Sequence, residues 1–163
     1  MKKLWKYLAF AINNLHTQYA VPTTLGVYIT SKCNIKCVYC MRETFIPQGD
    51  KIPLKQLQEI LRRAPYIRGV CIMGLCEPML HPELKEMLKW LKENNYSISL
   101  TTNGTITIDE DMFQALMNVD DFVISIDTTN PKTFRYLRGG AKFEKVWNNF
   151  KFVIQMKKDY GLG

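Results

Sequence analysis

Short β-rich runs alternate with amphipathic helical segments along this chain, and no other feature constrains its fold as strongly. The predicted strands are Thr24 to Thr30, Gly69 to Met73, Ser97 to Thr102 and Asp121 to Asp127. The predicted helices cover residues 53–64, 82–94, 109–118 and 143–160, and a further helix begins at Pro131. This alternation predicts an α/β fold with a parallel sheet. Because the strands are continuous apolar runs, we expect helices on one face and another layer or a barrel interior on the other.

The chain is predicted to form one domain, residues 21–163, after an N-terminal amphipathic helix over residues 1–20. A length of 163 residues with 47% hydrophobic content suits a single core. The N-terminal apolar run is too short and too often interrupted by polar residues for a signal peptide or a membrane span. We expect this helix to pack on the domain. Peripheral contact with a membrane surface through its lysines and Trp5 is the alternative.

The charge of the chain bears on its possible binding partners, and its cysteine content bears on the redox environment in which it works. The net charge is +7, but the positive residues are scattered along the chain, which favours a solvated surface over a nucleic-acid interface. Five cysteines, three of them within residues 33–40, do not form the pattern of a disulfide framework. They favour a reducing compartment, and the predicted location is the cytoplasm.

Three cysteines follow the first predicted strand with the spacing C-x3-C-x2-C: Cys33, Cys37 and Cys40. Thiolates at this spacing can hold three corners of an iron–sulfur cube or three positions on zinc. Structural zinc requires four ligands, and neither His16 nor His81 stands in a pairing motif with these cysteines. Ligands gather at the carboxyl ends of parallel strands, so this loop and the segments after the next three strands are predicted to face one rim.

With this loop after the first strand, and with Tyr39 before the third cysteine, the chain resembles the radical S-adenosylmethionine superfamily. The resemblance implies a parallel-stranded partial (β/α) barrel, about four βα units of a (β/α)6 core. It implies a [4Fe-4S] cluster held by Cys33, Cys37 and Cys40, with S-adenosylmethionine on the remaining iron and an electron donor such as flavodoxin or ferredoxin. The implied activity is reductive cleavage of S-adenosylmethionine to a 5′-deoxyadenosyl radical, which abstracts hydrogen from an undefined substrate, with peptides or proteins among the classes considered.

The sequence MGLCEPMLHPEL resembles the Gly-Gly-Glu-Pro stretch that ends the second strand in that family. The resemblance places Gly74 and Glu77 at the amino group of the methionine moiety, which Glu77 would bind through a charge-assisted hydrogen bond. Cys76 stands where many relatives have glycine. We expect it to be tolerated as a small side chain, and the alternative is that it crowds the cofactor or competes for iron.

The segments TTNGT and VISIDTTNPKTFRYLRGG resemble those after the third and fourth strands in one subgroup of the family. That subgroup includes anaerobic sulfatase-maturating enzymes, peptide-modifying relatives and molybdenum cofactor biosynthesis enzyme A. The resemblance implies that Ser125 binds the ribose or methionine part, Arg138 binds the methionine carboxylate and Asn103 lines the same mouth. The structural alternatives are a strand-end cap for Ser125, a turn for Asn103 and a surface position for Arg138. Asp127 is a candidate polar group near the substrate.

The resemblance runs from about Gly26 to Phe152 and does not include the fifth and sixth strands of the family barrel. We therefore interpret the chain as the N-terminal portion of a radical S-adenosylmethionine core. The predicted function is that of an enzyme of this superfamily, complete or partial. The alternative is a non-catalytic cluster- or zinc-binding module, such as a truncated family remnant or an RNA-associated domain.

Overall fold

The computed structural model describes residues 21–45 and 50–161 and contains a four-stranded parallel sheet with the order β1-β2-β3-β4. The strands are β1 Thr24–Val27, β2 Gly69–Ile72, β3 Ser97–Thr102 and β4 Asp121–Ile124. Thr24 lies opposite Gly69, Gly69 opposite Ser97, and Ser99 opposite Asp121. The prediction of an α/β fold with a parallel sheet is confirmed.

Helices connect and cover the strands on one side. They are α1 Arg42–Phe45, α2 Leu54–Arg63, α3 Leu84–Glu93, α4 Glu110–Leu116, α5 Pro131–Leu137 and α6 Phe143–Asp159, with a 3-10 turn at Pro78–Leu80. Asp109 caps α4 by accepting from the Met112 N–H, and Asn130 caps α5 in the same way. Within residues 21–45 and 50–161, no helix has the length and apolar character needed to cross a membrane. The helix predicted over residues 1–20 lies outside the described residues.

The core lies between the sheet and the helices. Alternate strand residues and one face of each of α2 and α3 meet there, among them Val70, Ile72, Ile98, Leu100, Leu57, Leu61, Met87, Leu88 and Leu91. Each such side chain contributes about 1.5–3 kcal/mol through removal of apolar surface from water. On the opposite face, Tyr28, Met73 and Val123 are 49%, 42% and 41% exposed. Helices therefore cover one face of the described sheet, as predicted, and the other face, for which the sequence predicted another layer or a barrel interior, is partly exposed.

β1 and β4 each end three residues earlier than predicted because the chain turns away from the sheet there. Beyond Val27, the backbone pairs with a different segment: Thr30 forms an antiparallel bridge with Lys51, and the Ser31 N–H donates to the Asp50 carbonyl at 2.8 Å. β4 ends at Ile124 rather than at Asp127. Both departures place polar residues in loops at the carboxyl end of the sheet.

Candidate functional site

The three cysteines lie on an irregular loop between β1 and α1. Cys33, Cys37 and Cys40 are free thiols of intermediate exposure. The start of the loop is fixed by the backbone N–H of Glu77, which donates to the Lys32 carbonyl at 2.8 Å, and a turn brings the Cys40 N–H to the Cys37 carbonyl at 3.0 Å. The structure thus places this loop at the carboxyl end of β1, as the sequence predicts.

The C-terminal end of α5 supports the middle of the cysteine loop. The Val38 N–H donates to the Leu137 carbonyl at 3.0 Å. Gly139 has φ +57°, and a Cβ at that position would lie 2.0 Å from the Lys36 carbonyl oxygen. Glycine meets both requirements, since it tolerates positive φ and has no side chain at the contact. Neither contact is visible in the sequence, because about a hundred residues separate the two segments.

Arg138 connects this loop with the segment that follows β4. Its Nε lies 2.6 Å from Asp127 Oδ2, and its Nη2 donates to Asp127 Oδ1 at 2.8 Å. Its Nη1 lies 3.9 Å from the Cys37 sulfur. The Tyr39 hydroxyl donates to Asp127 Oδ2 at 2.6 Å, and the Tyr39 ring lies 5.7 Å from the Arg138 guanidinium carbon. Because Arg138 is buried, the alternative of a surface position is wrong, and its role in binding stays a prediction.

The charges of this network follow from its contacts. Partial burial raises the pKa of Asp127, but hydrogen bonds from Tyr39 and Arg138 outweigh it and hold that pKa below its ordinary value. The pKa of Tyr39 is raised to about 12. Partial burial of the hydroxyl is the larger cause, and its hydrogen bond to Asp127 is the second. Burial also raises the pKa of Cys37, and the positive charge of Arg138 opposes that shift. Near neutral pH, Tyr39 is therefore a donor and Asp127 an anionic acceptor.

Glu77 is fully buried and joins the ends of β2 and β3. Its Oε1 accepts from the Met79 N–H at 3.0 Å and from the Thr102 hydroxyl at 2.7 Å, and its Oε2 accepts from the Asn103 N–H at 2.7 Å. Burial raises the pKa of Glu77, and these three hydrogen bonds oppose the shift. A carboxylate has about four acceptor sites, so about one remains for an ammonium group. That contact with S-adenosylmethionine stays a prediction.

Asn103 carries the network from β3 to the cysteine loop. Its Nδ2 donates to Asn34 Oδ1 at 3.0 Å and lies 3.7 Å from the Cys33 sulfur. Its Oδ1 accepts from the N–H and the hydroxyl of Thr105, at 2.9 and 2.6 Å. Asn34 and Thr105 were not among the site residues predicted from the sequence. The NGT motif indicated a turn, but it gave no sign of the partner on the cysteine loop.

The remaining predicted residues lie at the same end of the sheet. Gly74 has φ +131°, and a Cβ there would lie 2.0 Å from the Tyr28 ring, so the close approach of that ring requires glycine. The backbone N–H of Ser125 donates to the Thr102 carbonyl at 2.9 Å and extends the pairing of β4. The binding roles of both residues stay predictions. Cys76 is partly buried, and burial raises its pKa to about 11.

The donors around the loop fit an iron–sulfur cluster. Three free thiols stand on one loop, and N–H groups of Asn103 and Arg138 lie beside the sulfurs of Cys33 and Cys37. Hydrogen bonds and positive charge near ligand sulfurs stabilise the negative charge of such clusters. In the described ranges, no three Cys, His, Asp or Glu side chains converge closely enough to surround a single metal ion.

The fold and the site define an α/β protein of parallel βα units with a candidate cluster site at the carboxyl ends of its strands. Residues 27–159 match the sequence profile of the Radical SAM superfamily, and the chain belongs to this family. The prediction of the family is confirmed, and so is the prediction that the chain is an enzyme of this family or a part of one. Members of the family use a [4Fe-4S] cluster and S-adenosylmethionine, so the prediction of cofactors is confirmed at the level of the family.

Similar proteins come from bacteria and archaea. GTP 3′,8-cyclase of Desulforamulus reducens is 30% identical over 142 residues, which cover 82% of this chain and 43% of the cyclase. A probable GTP 3′,8-cyclase of Archaeoglobus fulgidus is 32% identical over 141 residues, 83% of this chain and 46% of that protein. SuiB of Streptococcus suis, solved bound to S-adenosylmethionine, superposes with a TM-score of 0.72 at 22% identity, over 91% of this chain and 35% of SuiB. The chain spans less than half the length of these relatives.

Proposed function

We propose that Cys33, Cys37 and Cys40 hold a [4Fe-4S] cluster and that the protein takes part in reductive cleavage of S-adenosylmethionine for hydrogen abstraction. The observation that carries the proposal is the three-cysteine loop held at the carboxyl end of β1 by the Glu77 backbone and by α5. When bound, the cluster supplies the electron that cleaves the carbon–sulfur bond of the sulfonium. Three thiolates leave one iron without a protein ligand, which provides the open position that a reactant needs.

The other predicted residues are assigned to the binding of S-adenosylmethionine. Gly74 and Glu77 are assigned to the amino group, and because the Glu77 side chain is fully buried, its remaining acceptor site must become accessible when S-adenosylmethionine binds. Asn103 and Ser125 line the same mouth at the ends of β3 and β4. Because Arg138 already forms an ion pair and a hydrogen bond with Asp127, binding a methionine carboxylate would require that pair to open.

The relatives favour one substrate class for the first experiments. A protein 30% identical to this chain bears the name GTP 3′,8-cyclase, which favours a purine nucleotide over the peptide considered from the sequence. GTP is therefore the first substrate to test. An electron donor such as flavodoxin or ferredoxin and a reducing, cytoplasmic location belong to the same proposal, since the thiols must remain free to bind the cluster.

Anaerobic reconstitution with iron and sulfide tests the proposal. We expect about four irons per chain and the visible absorbance of an iron–sulfur cluster. Both should be lost in Cys37→Ala, whereas Cys71→Ala, which changes a cysteine of β2 outside the loop, should retain them. About one tightly bound zinc per chain, retained in air, would contradict the proposal and support the structural zinc module.

A further inference from the structure

The guanidinium of Arg138 lies between the carboxylate of Asp127 and the sulfur of Cys37. Its Nη2 donates to Asp127 Oδ1 at 2.8 Å, and its Nε lies 2.6 Å from Asp127 Oδ2 without the geometry of a hydrogen bond. The third nitrogen, Nη1, lies 3.9 Å from the Cys37 sulfur. Because a guanidinium is planar and rigid, its ion pair with Asp127 also fixes the position of Nη1.

The carboxylate is itself held from the cysteine loop. The Tyr39 hydroxyl donates to Asp127 Oδ2 at 2.6 Å, and Tyr39 is the residue between Cys37 and Cys40 that lies next to the third cysteine. The contacts therefore form a closed path from Tyr39 through Asp127 and Arg138 back to Cys37. Such a path resists displacement of any one member, since the loop cannot move away from α5 without breaking an ion pair or a charge-assisted hydrogen bond.

We propose that Arg138 is a positioning residue of the cysteine loop that raises the reduction potential of the cluster by holding its positive charge beside the Cys37 sulfur. This inference rests on the proposed function. A reduced cluster carries one more negative charge than an oxidised one, so a fixed cation and an N–H directed at a ligand sulfur favour the reduced form. Partial burial strengthens the effect because water screens the charge less. Asp127 and Tyr39 serve this role by orienting the guanidinium.

The inference differs from the role that the sequence resemblance implies for Arg138, which is to bind the carboxylate of S-adenosylmethionine. An arginine that acts only on S-adenosylmethionine affects the cluster only when that molecule is present. An arginine that acts on Cys37 affects the potential of the cluster alone. The two roles are separated by measuring the potential without S-adenosylmethionine.

The experiment is a redox titration of the reconstituted protein without S-adenosylmethionine, following the absorbance and paramagnetic resonance of the cluster. Arg138→Gln is expected to shift the equilibrium about tenfold toward the oxidised form, which for one electron is a potential lower by about 59 mV. Arg138→Lys keeps the charge but not the planar fork, and a smaller shift in the same direction is expected. The control is Arg135→Gln, an exposed arginine in the last turn of α5, which should leave the potential unchanged.

Each outcome is decisive. A normal cluster with an unchanged potential in Arg138→Gln contradicts the inference and leaves the proposed function standing. If Arg138→Gln assembles no cluster, the reduction potential of Arg138→Lys is the deciding measurement. A potential equal to that of the unaltered protein contradicts the inference, and a lower potential supports it. Failure of the unaltered protein to assemble a cluster contradicts the proposed function, and the inference with it.

Discussion

Glu77 Oε2 accepts a hydrogen bond of 2.7 Å from the backbone N–H of Asn103, and this contact links the buried end of β2 to the segment that reaches the cysteine loop. Asn103 in turn places its amide nitrogen 3.7 Å from the Cys33 sulfur. A carboxylate in the interior thus orders the surface on which the cysteines stand. We expect disruption of this link to reduce both the stability of the fold and the retention of a cluster.

Glu77→Gln is expected to lower the free energy of unfolding by about 1–3 kcal/mol at neutral pH. The amide places an NH₂ group where one carboxylate oxygen now accepts, so at least one of the donors from Met79, Thr102 and Asn103 is left unpaired. Urea unfolding measures the effect. The matched control is Glu86→Gln, an exposed position on α3, which should change the free energy by less than about 0.5 kcal/mol. Equal values for both variants would contradict the structural role of Glu77.

The contribution of Glu77 to stability should depend on pH in a defined direction. Because burial raises the pKa of the folded state above the ordinary value of 4.5, the folded protein binds a proton more tightly than the unfolded chain. The contribution of Glu77 to the free energy of unfolding is therefore fully present at a pH below the pKa of Glu77 in the unfolded chain. It declines as the pH rises through the higher pKa of Glu77 in the folded protein. Urea titrations across this window should show the advantage of the unaltered protein over Glu77→Gln shrinking as pH rises. An advantage that grows with pH would show that the three hydrogen bonds outweigh burial.

Substitution of two adjacent glycines by alanine distinguishes the cost of a close contact from the cost of backbone strain in the free energy of unfolding. Gly139 has φ +57° and a Cβ there would lie 2.0 Å from the Lys36 carbonyl, whereas Gly140 has φ +90° and nothing within 4 Å. Both substitutions by alanine cost about 1 kcal/mol through strain. Gly139→Ala should cost about 1–3 kcal/mol more, because the cysteine loop must move. Urea unfolding and iron content measure this, and equal losses in the two variants would contradict the docking of the loop on α5.

Cys76 should react slowly with alkylating reagents. Its pKa of about 11 leaves roughly one in a thousand thiols ionised at pH 8, against roughly one in ten for a cysteine with the ordinary value of 9.0. In the reconstituted protein, in which the proposed cluster would occupy the loop cysteines, iodoacetamide labelling followed by mass spectrometry should give a rate for Cys76 about a hundredfold below that of an unhindered cysteine. Rapid labelling at pH 8 would mean that this thiol is exposed or activated.

Much of the fold could be predicted from the sequence because its signals are local. β3 matches its predicted range, Ser97–Thr102, and α2 begins one residue after Pro53, since apolar spacing and a proline at a helix start act over a few residues. α1 and the 3-10 turn at Pro78–Leu80 went unpredicted because a single turn carries no periodic pattern. The openness of one face of the sheet depends on which elements cover it, and strand composition does not encode that.

In the candidate site too, the features with local sequence signals could be predicted, and the contacts between distant residues could not. The cysteine spacing is local and indicated the loop directly. The pairing of Arg138 with Asp127 joins positions 11 residues apart across a helix, and that of Glu77 with Asn103 joins positions 26 residues apart across a βα unit. Such partners are set by the register of the sheet and the docking of α5. The sequence therefore indicated the chemistry of Glu77 and Arg138 but not their partners or their burial.

Formation of 5′-deoxyadenosine tests the central claim most directly. The reconstituted protein is incubated anaerobically with S-adenosylmethionine and a strong reductant, and the product is quantified by liquid chromatography. The account predicts 5′-deoxyadenosine from the unaltered protein and from Cys71→Ala, and none above background from Cys37→Ala. An assembled cluster with no 5′-deoxyadenosine from the unaltered protein would contradict it.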